Sequence, residues 1–229
     1  MNSTARTISL AKRGILNYFS KRPFCVSFEV TYSCNARCKH CHLGGVVAEE
    51  RAEPQKFGER CRELKPVVAQ VSGGEPLLRK DLEEIIKAIK IPNRAPYIVL
   101  TTNAALLTKK RYFELREAGV DEFSISLDYP DERHDEFRAI PGLFKKIKKL
   151  IEDLGSEDHK AIILSCVVQS DNFRELLKMA EQARRWNVKM NFSIYTWLRT
   201  NNKDYMIRKE DLEELKEILN ELYALKKKH

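Results

Sequence analysis

Three cysteines that fall within eight positions are the residues with the clearest capacity for chemistry. Cys34, Cys38 and Cys41 form a CxxxCxxC motif. Three thiolates at such a spacing can each bind one iron of a cuboidal [4Fe–4S] cluster. No fourth cysteine lies nearby, so one iron would keep an open coordination site. An open site is what makes a metal centre catalytic rather than only structural.

A structural zinc site is the alternative interpretation of the same cysteines, with His40 or His42 as the fourth ligand. Zinc modules usually take their second ligand pair from another short knuckle, and the sequence shows none. Cys61 and Cys166 stand singly on a predicted helix and a predicted strand, where we expect buried, inert thiols. A non-enzymatic zinc or iron–sulfur module therefore stays open as a second hypothesis.

A glycine-rich turn follows the second predicted strand, at residues 72–76 with the sequence Ser-Gly-Gly-Glu-Pro. Gly73 and Gly74 lack side chains and would let the main chain approach a ligand closely. The carboxylate of Glu75 can accept a hydrogen bond from an ammonium group. A structural metal needs no ammonium acceptor, so Glu75 favours a catalytic role.

These motifs lie within an alternation of short β-rich runs and amphipathic stretches, the pattern of βα units and a parallel sheet. The predicted strands are residues 24–31, 67–72, 97–102, 122–127, 161–168 and 190–195. Six units are too few for a complete eight-unit barrel. The α/β fold is therefore either a three-quarter (β/α)6 barrel or an open doubly wound sheet, with ligand loops at the C-terminal ends of the strands.

Helix ends are also visible in the sequence. Asp81 with Glu84 predicts a capping box, and Thr108 predicts the N-cap of a helix that closes at Gly119. Leucines at heptad-like spacing predict a last helix over 208–225. That helix is one candidate to shield the exposed edge of the sixth strand.

Three apolar residues follow the sixth strand: Tyr195, Trp197 and Leu198. They have two interpretations. They line a substrate opening, or they pack beneath the last helix.

With both motifs in this order on successive strands, residues 24–196 resemble the radical S-adenosylmethionine (radical SAM) superfamily. The resemblance implies a partial (β/α)6 TIM-like barrel with a parallel sheet. It implies a [4Fe–4S] cluster on the three motif cysteines. It also implies that Gly73, Gly74 and Glu75 hold the amino group of the methionine moiety of S-adenosylmethionine.

Four further residues match the family less specifically. His40 stands where an aromatic residue is usual and could flank the adenine. Asn103, Ser126 and Asp128 end predicted strands at which related enzymes place polar groups on the ribose or the methionine carboxylate. Ordinary strand-end turn residues are the alternative for these three.

The segment from His134 and Asp135 through Arg138 to Gly142 resembles a loop of the peptide-modifying and cofactor-building branches. A surface ion pair is the alternative for its charged residues.

The resemblance implies an enzyme that reductively cleaves S-adenosylmethionine to a 5′-deoxyadenosyl radical. The radical would abstract hydrogen from a lipid, a peptide or a small metabolite. A reducing partner such as ferredoxin or flavodoxin would supply the electron. With no second cysteine cluster we expect no auxiliary cluster, and we expect a minimal enzyme, a truncation or one half of a complex.

The formal charge of +8 is concentrated at the two ends of the chain. Residues 1–23 carry five basic residues and no acid, and Lys226, Lys227 and Lys228 account for the rest. The remainder is balanced, so there is no strong nucleic-acid signal. We predict two parts: a basic amphipathic segment over 1–23, and a core domain over 24–229 that ends in an amphipathic helix.

Ile8, Ala11, Ile15 and Phe19 share one face of a helix in that segment, with Leu16 beside it. The interpretations are packing against the body, contact with an anionic membrane or lipid substrate, and contact with RNA. No apolar run reaches the ~18 residues of a membrane span. Clustered cysteines without an export signal predict a cytoplasmic protein, with peripheral membrane association as the further expectation. A transit peptide is the other interpretation of the acid-free start.

Overall fold

The structure, a computed structural model, describes residues 3–41, 43–91 and 95–227. Helices and strands alternate along these residues, as the βα pattern predicts. The helices are α1 Ser3–Phe19, α2 Pro54–Leu64, α3 Leu82–Ile89, α4 Lys109–Ala118, α5 Arg133–Arg138, α6 Leu143–Asp158, α7 Leu176–Arg185 and α8 Leu212–Lys227. The strands are β1 Cys25–Thr31, β2 Val68–Gly73, β3 Tyr97–Thr102, β4 Glu122–Ser126, β5 Ile162–Val168 and β6 Lys189–Ile194.

The strands form a sheet in the order β1-β2-β3-β4-β5-β6, so each strand lies beside the next one along the chain. The registers are parallel: Cys25 pairs with Val68, Val68 with Tyr97, and Ile163 with Lys189. Parallel neighbours require helical crossovers, which α2, α3 and α7 provide. The α/β class with a parallel sheet is confirmed, and each predicted strand end is displaced by one residue at most.

The chain divides into two compact units. The first comprises Met1–Asn35 and Leu43–Ser124, and the second comprises Ala36–His42 and Ile125–His229. In the first, α3 buries an apolar stripe of Leu82, Ile85, Ile86 and Ile89. In the second, α6 and α7 bury a comparable set at helical spacing. Its members are Leu143, Ile147, Leu150, Ile151, Leu154, Leu176 and Met179.

The helix-end predictions are half right. The Thr108 hydroxyl accepts from the Arg111 amide at 3.1 Å, and α4 ends at Gly119 with φ +128°. The capping box at Asp81 is wrong. Its carboxylate accepts instead from Arg79 Nε at 2.8 Å, and it makes no bond to the amides of α3.

The last helix packs beside α7 through charged contacts. Arg174, just before α7, donates to Asp211 at 2.8 Å and to Glu214 at 2.6 Å. Every residue of β6 stays exposed or half-buried, so the predicted shielding of this strand by the helix is not observed. Of the three apolar residues predicted to follow β6, Tyr195 is buried, Trp197 is half-buried and Leu198 is exposed.

The N-terminal helix α1 docks on the first unit in an unexpected orientation. Asn17 is buried and donates to the carbonyls of Pro23 and Lys65, at 2.8 and 2.9 Å. Ile8, Ile15 and other residues of the apolar stripe are exposed. The helix therefore packs against the body, as one interpretation predicted, but through its polar face and not through the apolar stripe, because buried hydrogen bonds of the polar face hold it. Within the described residues, no helix has the length and hydropathy needed to cross a membrane.

Candidate functional site

The glycine pair after β2 lets two stretches of main chain of the first unit pack together. A Cβ on Gly73 would lie 2.3 Å from the Thr31 carbonyl oxygen, and one on Gly74 would lie 2.2 Å from that of Ser33. The Gly74 amide donates to Thr31 at 2.7 Å, and the Glu75 amide donates to Ser33 at 2.9 Å. Only glycine fits at these two positions, and the main chain it approaches leads directly to Cys34.

Glu75 is fully buried at the C-terminal ends of β2 and β3. Its Oε1 accepts from the Thr102 hydroxyl at 2.6 Å and from the Leu77 amide at 3.1 Å. Its Oε2 accepts from the Asn103 amide at 2.8 Å. Three donors hold the carboxylate in one orientation, so the side chain is fixed before any ligand arrives.

Asn103 links this carboxylate to the start of the cysteine motif. Its Nδ2 donates to the Asn35 side-chain oxygen at 2.7 Å, while its own Oδ1 accepts from the Ala105 amide at 2.9 Å. Cys34, next to Asn35, is buried, and its amide donates to the Gly45 carbonyl at 2.9 Å. The predicted site residues of the first unit are therefore tied together by hydrogen bonds.

Two charged residues that sequence reasoning missed brace the same main chain. Glu49 accepts from the Thr31 hydroxyl and from the Tyr32 amide. Burial works to raise the pKa of Glu49, but these hydrogen bonds outweigh it and lower the pKa to about 2. Arg79 donates to the Val30 carbonyl at 2.9 Å from its buried guanidinium. Neither residue belongs to a motif, so no local pattern identifies it.

In the second unit, the remaining motif cysteines lie on a turn that is bonded to the end of α5. The Cys41 amide donates to the Cys38 carbonyl at 3.1 Å. The Arg37 amide donates to the Arg138 carbonyl, and the Lys39 amide to the Phe137 carbonyl, both at 3.1 Å. These main-chain bonds attach the turn that carries Cys38 to the C-terminal end of α5, and so they position its thiol.

A buried ion pair stands behind Cys38. Arg138 Nε and Nη2 donate to the Asp128 carboxylate at 2.7 and 2.6 Å, and Asp128 is fully buried. Arg138 Nη1 donates to the Cys38 sulfur at 3.6 Å. The interpretation of the Arg138 charge as part of a surface ion pair is wrong, because both partners are buried after β4 and at the end of α5.

The charges of this cluster act on the thiol in opposite directions. Burial raises the pKa of Cys38, while the Arg138 guanidinium works to lower it. Burial also acts to raise the pKa of Asp128, but the charge and hydrogen bond of Arg138, together with smaller contributions from His134 and His40, outweigh burial and lower it. The carboxylate therefore stays ionised and holds the guanidinium in place against the sulfur.

His40, between the second and third motif cysteines, lies in an aromatic stack. Its ring is parallel to that of Phe137, with centroids 4.9 Å apart, and it meets the edge of the Tyr195 ring at 6.3 Å. Burial, and then the Arg138 charge, lower the pKa of His40 to about 4. Its Nδ1 is buried without a hydrogen-bond partner. The imidazole is thus neutral at physiological pH and presents an unsatisfied polar atom.

The loop from His134 to Gly142 is a structural brace. Asp135 accepts from the Gly142 amide and from the Phe144 amide, both at 2.7 Å, which closes the loop at the start of α6. His134 is fully buried, and its Nδ1 accepts from the Asp128 amide at 3.2 Å. Burial lowers the pKa of His134 to about 4, so this imidazole is also neutral.

The other predicted residues fall as follows. Ser126 is half-buried at the end of β4. Cys61 on α2 and Cys166 on β5 are buried, and burial raises the pKa of both thiols, as expected of inert cysteines. Asp128 has its carboxylate engaged by Arg138 within the protein.

The donor chemistry fits an iron–sulfur cluster and S-adenosylmethionine. None of the three motif cysteines forms a disulfide, and the thiol of Cys38 receives a guanidinium N–H, a suitable donor to an anionic sulfur ligand. A buried carboxylate in a fixed orientation suits an ammonium group. In the described part of the chain, no three His, Cys, Asp or Glu side chains are grouped as metal ligands. Ligation by Cys34, Cys38 and Cys41 stays a prediction.

Comparison with known proteins identifies a family. The family model described as the radical SAM superfamily matches residues 28–183, which include both motifs. Two of the similar proteins are an AdoMet-dependent heme synthase of Oleidesulfovibrio alaskensis and a probable GTP 3′,8-cyclase of Methanococcus aeolicus. The first is 34% identical over 71% of this chain and 44% of its own length. The second is 34% identical over 69% of this chain and 55% of its own length.

A solved structure shows the same fold. The crystal structure of Streptococcus suis SuiB bound to S-adenosylmethionine matches with a TM-score of 0.72. The match covers 94% of this chain and 52% of SuiB at 15% sequence identity. The chain thus spans about half the length of the relatives that it matches.

Proposed function

This chain belongs to the radical SAM superfamily, and we propose that it generates a 5′-deoxyadenosyl radical for hydrogen abstraction from an organic substrate. The observation that carries the proposal is that both motif loops are held by main-chain hydrogen bonds, Gly74 and Glu75 to residues 31–33, and Arg37 and Lys39 to the end of α5. A bound [4Fe–4S] cluster would supply one electron to S-adenosylmethionine and so break its carbon–sulfur bond.

The chain's first task is to hold the cluster. We assign this to the thiolates of Cys34, Cys38 and Cys41, which leave one iron free for S-adenosylmethionine. Ligation requires deprotonated thiols, and burial opposes deprotonation of Cys38. The Arg138 guanidinium, held by Asp128, counters that effect and donates to the sulfur. Asp128 therefore acts as a positioning residue rather than through direct contact with S-adenosylmethionine.

The second task is to bind and orient S-adenosylmethionine. We assign its ammonium group to Glu75, with Gly73 and Gly74 shaping the loop. Thr102 and the Asn103 amide fix the carboxylate, so little ordering is needed on binding. Asn103 and Ser126 supply polar groups for the ribose or the methionine carboxylate. His40 would flank the adenine with its neutral ring, whose buried Nδ1 has no partner.

The substrate is an organic molecule such as a lipid, a peptide or a small metabolite. The names of the relatives include a heme synthase and a GTP cyclase, whose substrates are chemically unrelated. We therefore assign radical generation, and no particular substrate, to the region that these proteins share with this chain. We propose a ferredoxin or flavodoxin as electron donor and the cytoplasm as location, because clustered cysteines that form no disulfide suit a reducing compartment.

Anaerobic reconstitution with iron and sulfide tests the proposal. We expect one [4Fe–4S] cluster per chain, and 5′-deoxyadenosine and methionine after addition of S-adenosylmethionine and dithionite. Replacing Cys34, Cys38 and Cys41 together by Ala should remove the cluster. Cys25→Ser, at an exposed cysteine outside the motif, is the matched control and should keep it. A triple variant with full iron and sulfide content would refute the ligand assignment, and stoichiometric zinc without iron would favour a structural module.

A further inference from the structure

Helix α1 presents two chemically different faces, and the polar one faces the protein. Asn17, which is 1% exposed, donates to two main-chain carbonyls, and Arg6 forms an ion pair with the buried carboxylate of Asp121. The Arg6 guanidinium also lies 5.4 Å from the centroid of the Tyr97 ring. These contacts anchor the helix over its length within the first unit.

The opposite face is apolar and exposed. Ile8, Ile15, Leu16, Tyr18 and Phe19 are each between 50% and 79% exposed. At 3.6 residues per turn these positions form one stripe, opposite to Arg6 and Asn17. A surface helix normally buries such a stripe and exposes its polar face. The inverted orientation therefore indicates that something outside the described chain covers the apolar face.

The charge of the segment identifies the covering surface. Residues 1–23 contain five basic residues and no acid. Lys12, Lys21 and Arg22 are exposed, and Lys12 lies within the apolar stripe. Long basic side chains can bury their stems at a bilayer interface and keep the charge at the headgroups. Aliphatic and aromatic groups bordered by cations match an anionic lipid surface, whereas a nucleic acid offers little contact for Ile8, Ile15 and Leu16.

We propose that α1 is a peripheral docking helix that lies in the interface of an anionic bilayer, with its apolar stripe inserted among the acyl chains and its cations at the headgroups. This interaction is separate from radical generation. It would hold the enzyme at a membrane surface and leave both motif loops unchanged. Each cation beside an anionic leaflet increases partitioning about fivefold, so three exposed cations together with the stripe support reversible binding.

Co-sedimentation of the reconstituted full chain with vesicles tests this proposal. The vesicles contain equal parts of phosphatidylcholine and phosphatidylglycerol, and pure phosphatidylcholine vesicles are the comparison. We expect binding to the anionic vesicles at low salt and at least tenfold weaker binding to the neutral ones. Ile15→Glu combined with Phe19→Glu should reduce anionic-vesicle binding by at least tenfold. Leu219→Glu, at a leucine of α8 that is 47% exposed, is the matched control and should bind like the wild type.

Two further measurements make each outcome decisive. The double variant should keep the melting temperature and cluster content of the wild type, because both side chains are exposed; a clear loss of stability would show that the stripe packs on protein and would overturn the proposal. Light scattering should show that the double variant and the wild type have the same mass. A wild-type dimer that the double variant abolishes, equal binding to neutral vesicles, or no vesicle binding at all would each overturn it.

Discussion

Replacing Glu75 should lower both the affinity for S-adenosylmethionine and the free energy of unfolding, and the two losses can be measured independently. In Glu75→Ala, the part-buried amide of Leu77 and the buried amide of Asn103 lose their acceptor. Each unsatisfied buried N–H costs about 1–3 kcal/mol, so the Ala variant should lose about 2–6 kcal/mol of the free energy of unfolding. A domain of this kind has about 5–15 kcal/mol in total, so a loss at the upper end of this range would bring the Ala variant close to unfolding.

Glu75→Gln separates the two effects. The Gln side chain keeps one oxygen as acceptor, so only one of the two backbone N–H groups loses its partner and faces the side-chain NH₂. The loss of stability should therefore be about 1–3 kcal/mol. The charge is lost completely. A charge-assisted hydrogen bond to the ammonium group is worth about 1.5–3 kcal/mol, which corresponds to a roughly 10- to 100-fold weaker affinity for S-adenosylmethionine.

Isothermal titration under argon with cluster-loaded protein measures the affinity, and thermal unfolding measures the stability. Glu59→Gln, an exposed glutamate on α2, is the matched control and should change neither. Unchanged affinity in Glu75→Gln at normal cluster content would refute the ammonium assignment. Wild-type stability in Glu75→Ala would refute the view that this carboxylate is the hydrogen-bond acceptor for the amides of Leu77 and Asn103.

Three more outcomes follow from the described contacts. Arg138→Gln should lower the reduction potential of the cluster by about tens of millivolts, because it removes a cation and a hydrogen-bond donor from Cys38. Arg138→Lys keeps the charge and should retain part of the wild-type potential. Equal potentials for the wild type and Arg138→Gln in a redox titration would contradict this. The pKa of His134 is lowered from 6.5 to about 4, so the unfolded chain binds the extra proton between these values and stability should fall by on the order of 3 kcal/mol as pH drops through that window. His134→Gln should flatten this dependence in denaturant titrations, and a slope equal to that of the wild type would exclude His134 as its source. Gly74→Ala should fold poorly because its Cβ would meet main chain, whereas Gly14→Ala on α1 meets only ordinary contact at 3.6 Å and should be neutral; similar melting temperatures for the two variants would contradict the close approach.

The helices and strands could be predicted from the sequence because they depend mainly on residue types and spacing within each segment. Short runs rich in β-branched residues place β3 and β5 within a residue of their observed ends, and the Thr108 hydroxyl caps α4 as its position indicates. The capping box at Asp81 failed for a non-local reason. Arg79 binds the same carboxylate, and the sequence pattern does not show which of two nearby donors will prevail.

The orientation of α1 shows the same limit on a larger scale. Periodicity identifies the apolar stripe, but it does not show which face of the helix meets the body. Asn17 and Arg6 decide that, by contacts with Lys65 and Asp121, residues distant in the chain. Buried hydrogen bonds to main-chain carbonyls and a buried ion pair outweigh the burial of the stripe on this protein surface.

Residue type and spacing along the chain were enough to indicate the chemistry, since thiols at CxxxCxxC and a Gly-Gly-Glu turn are local features. The hydrogen-bond partners that hold those groups in place are visible only in the tertiary structure. Glu75 is fixed by Thr102 and Asn103, and Cys38 receives its N–H from Arg138, a hundred residues later. Asp128, which follows β4 and was predicted to contact S-adenosylmethionine, pairs with that arginine. Such partners are far apart in sequence, and only the packing of strand ends and helix ends brings a buried charge to its counterion.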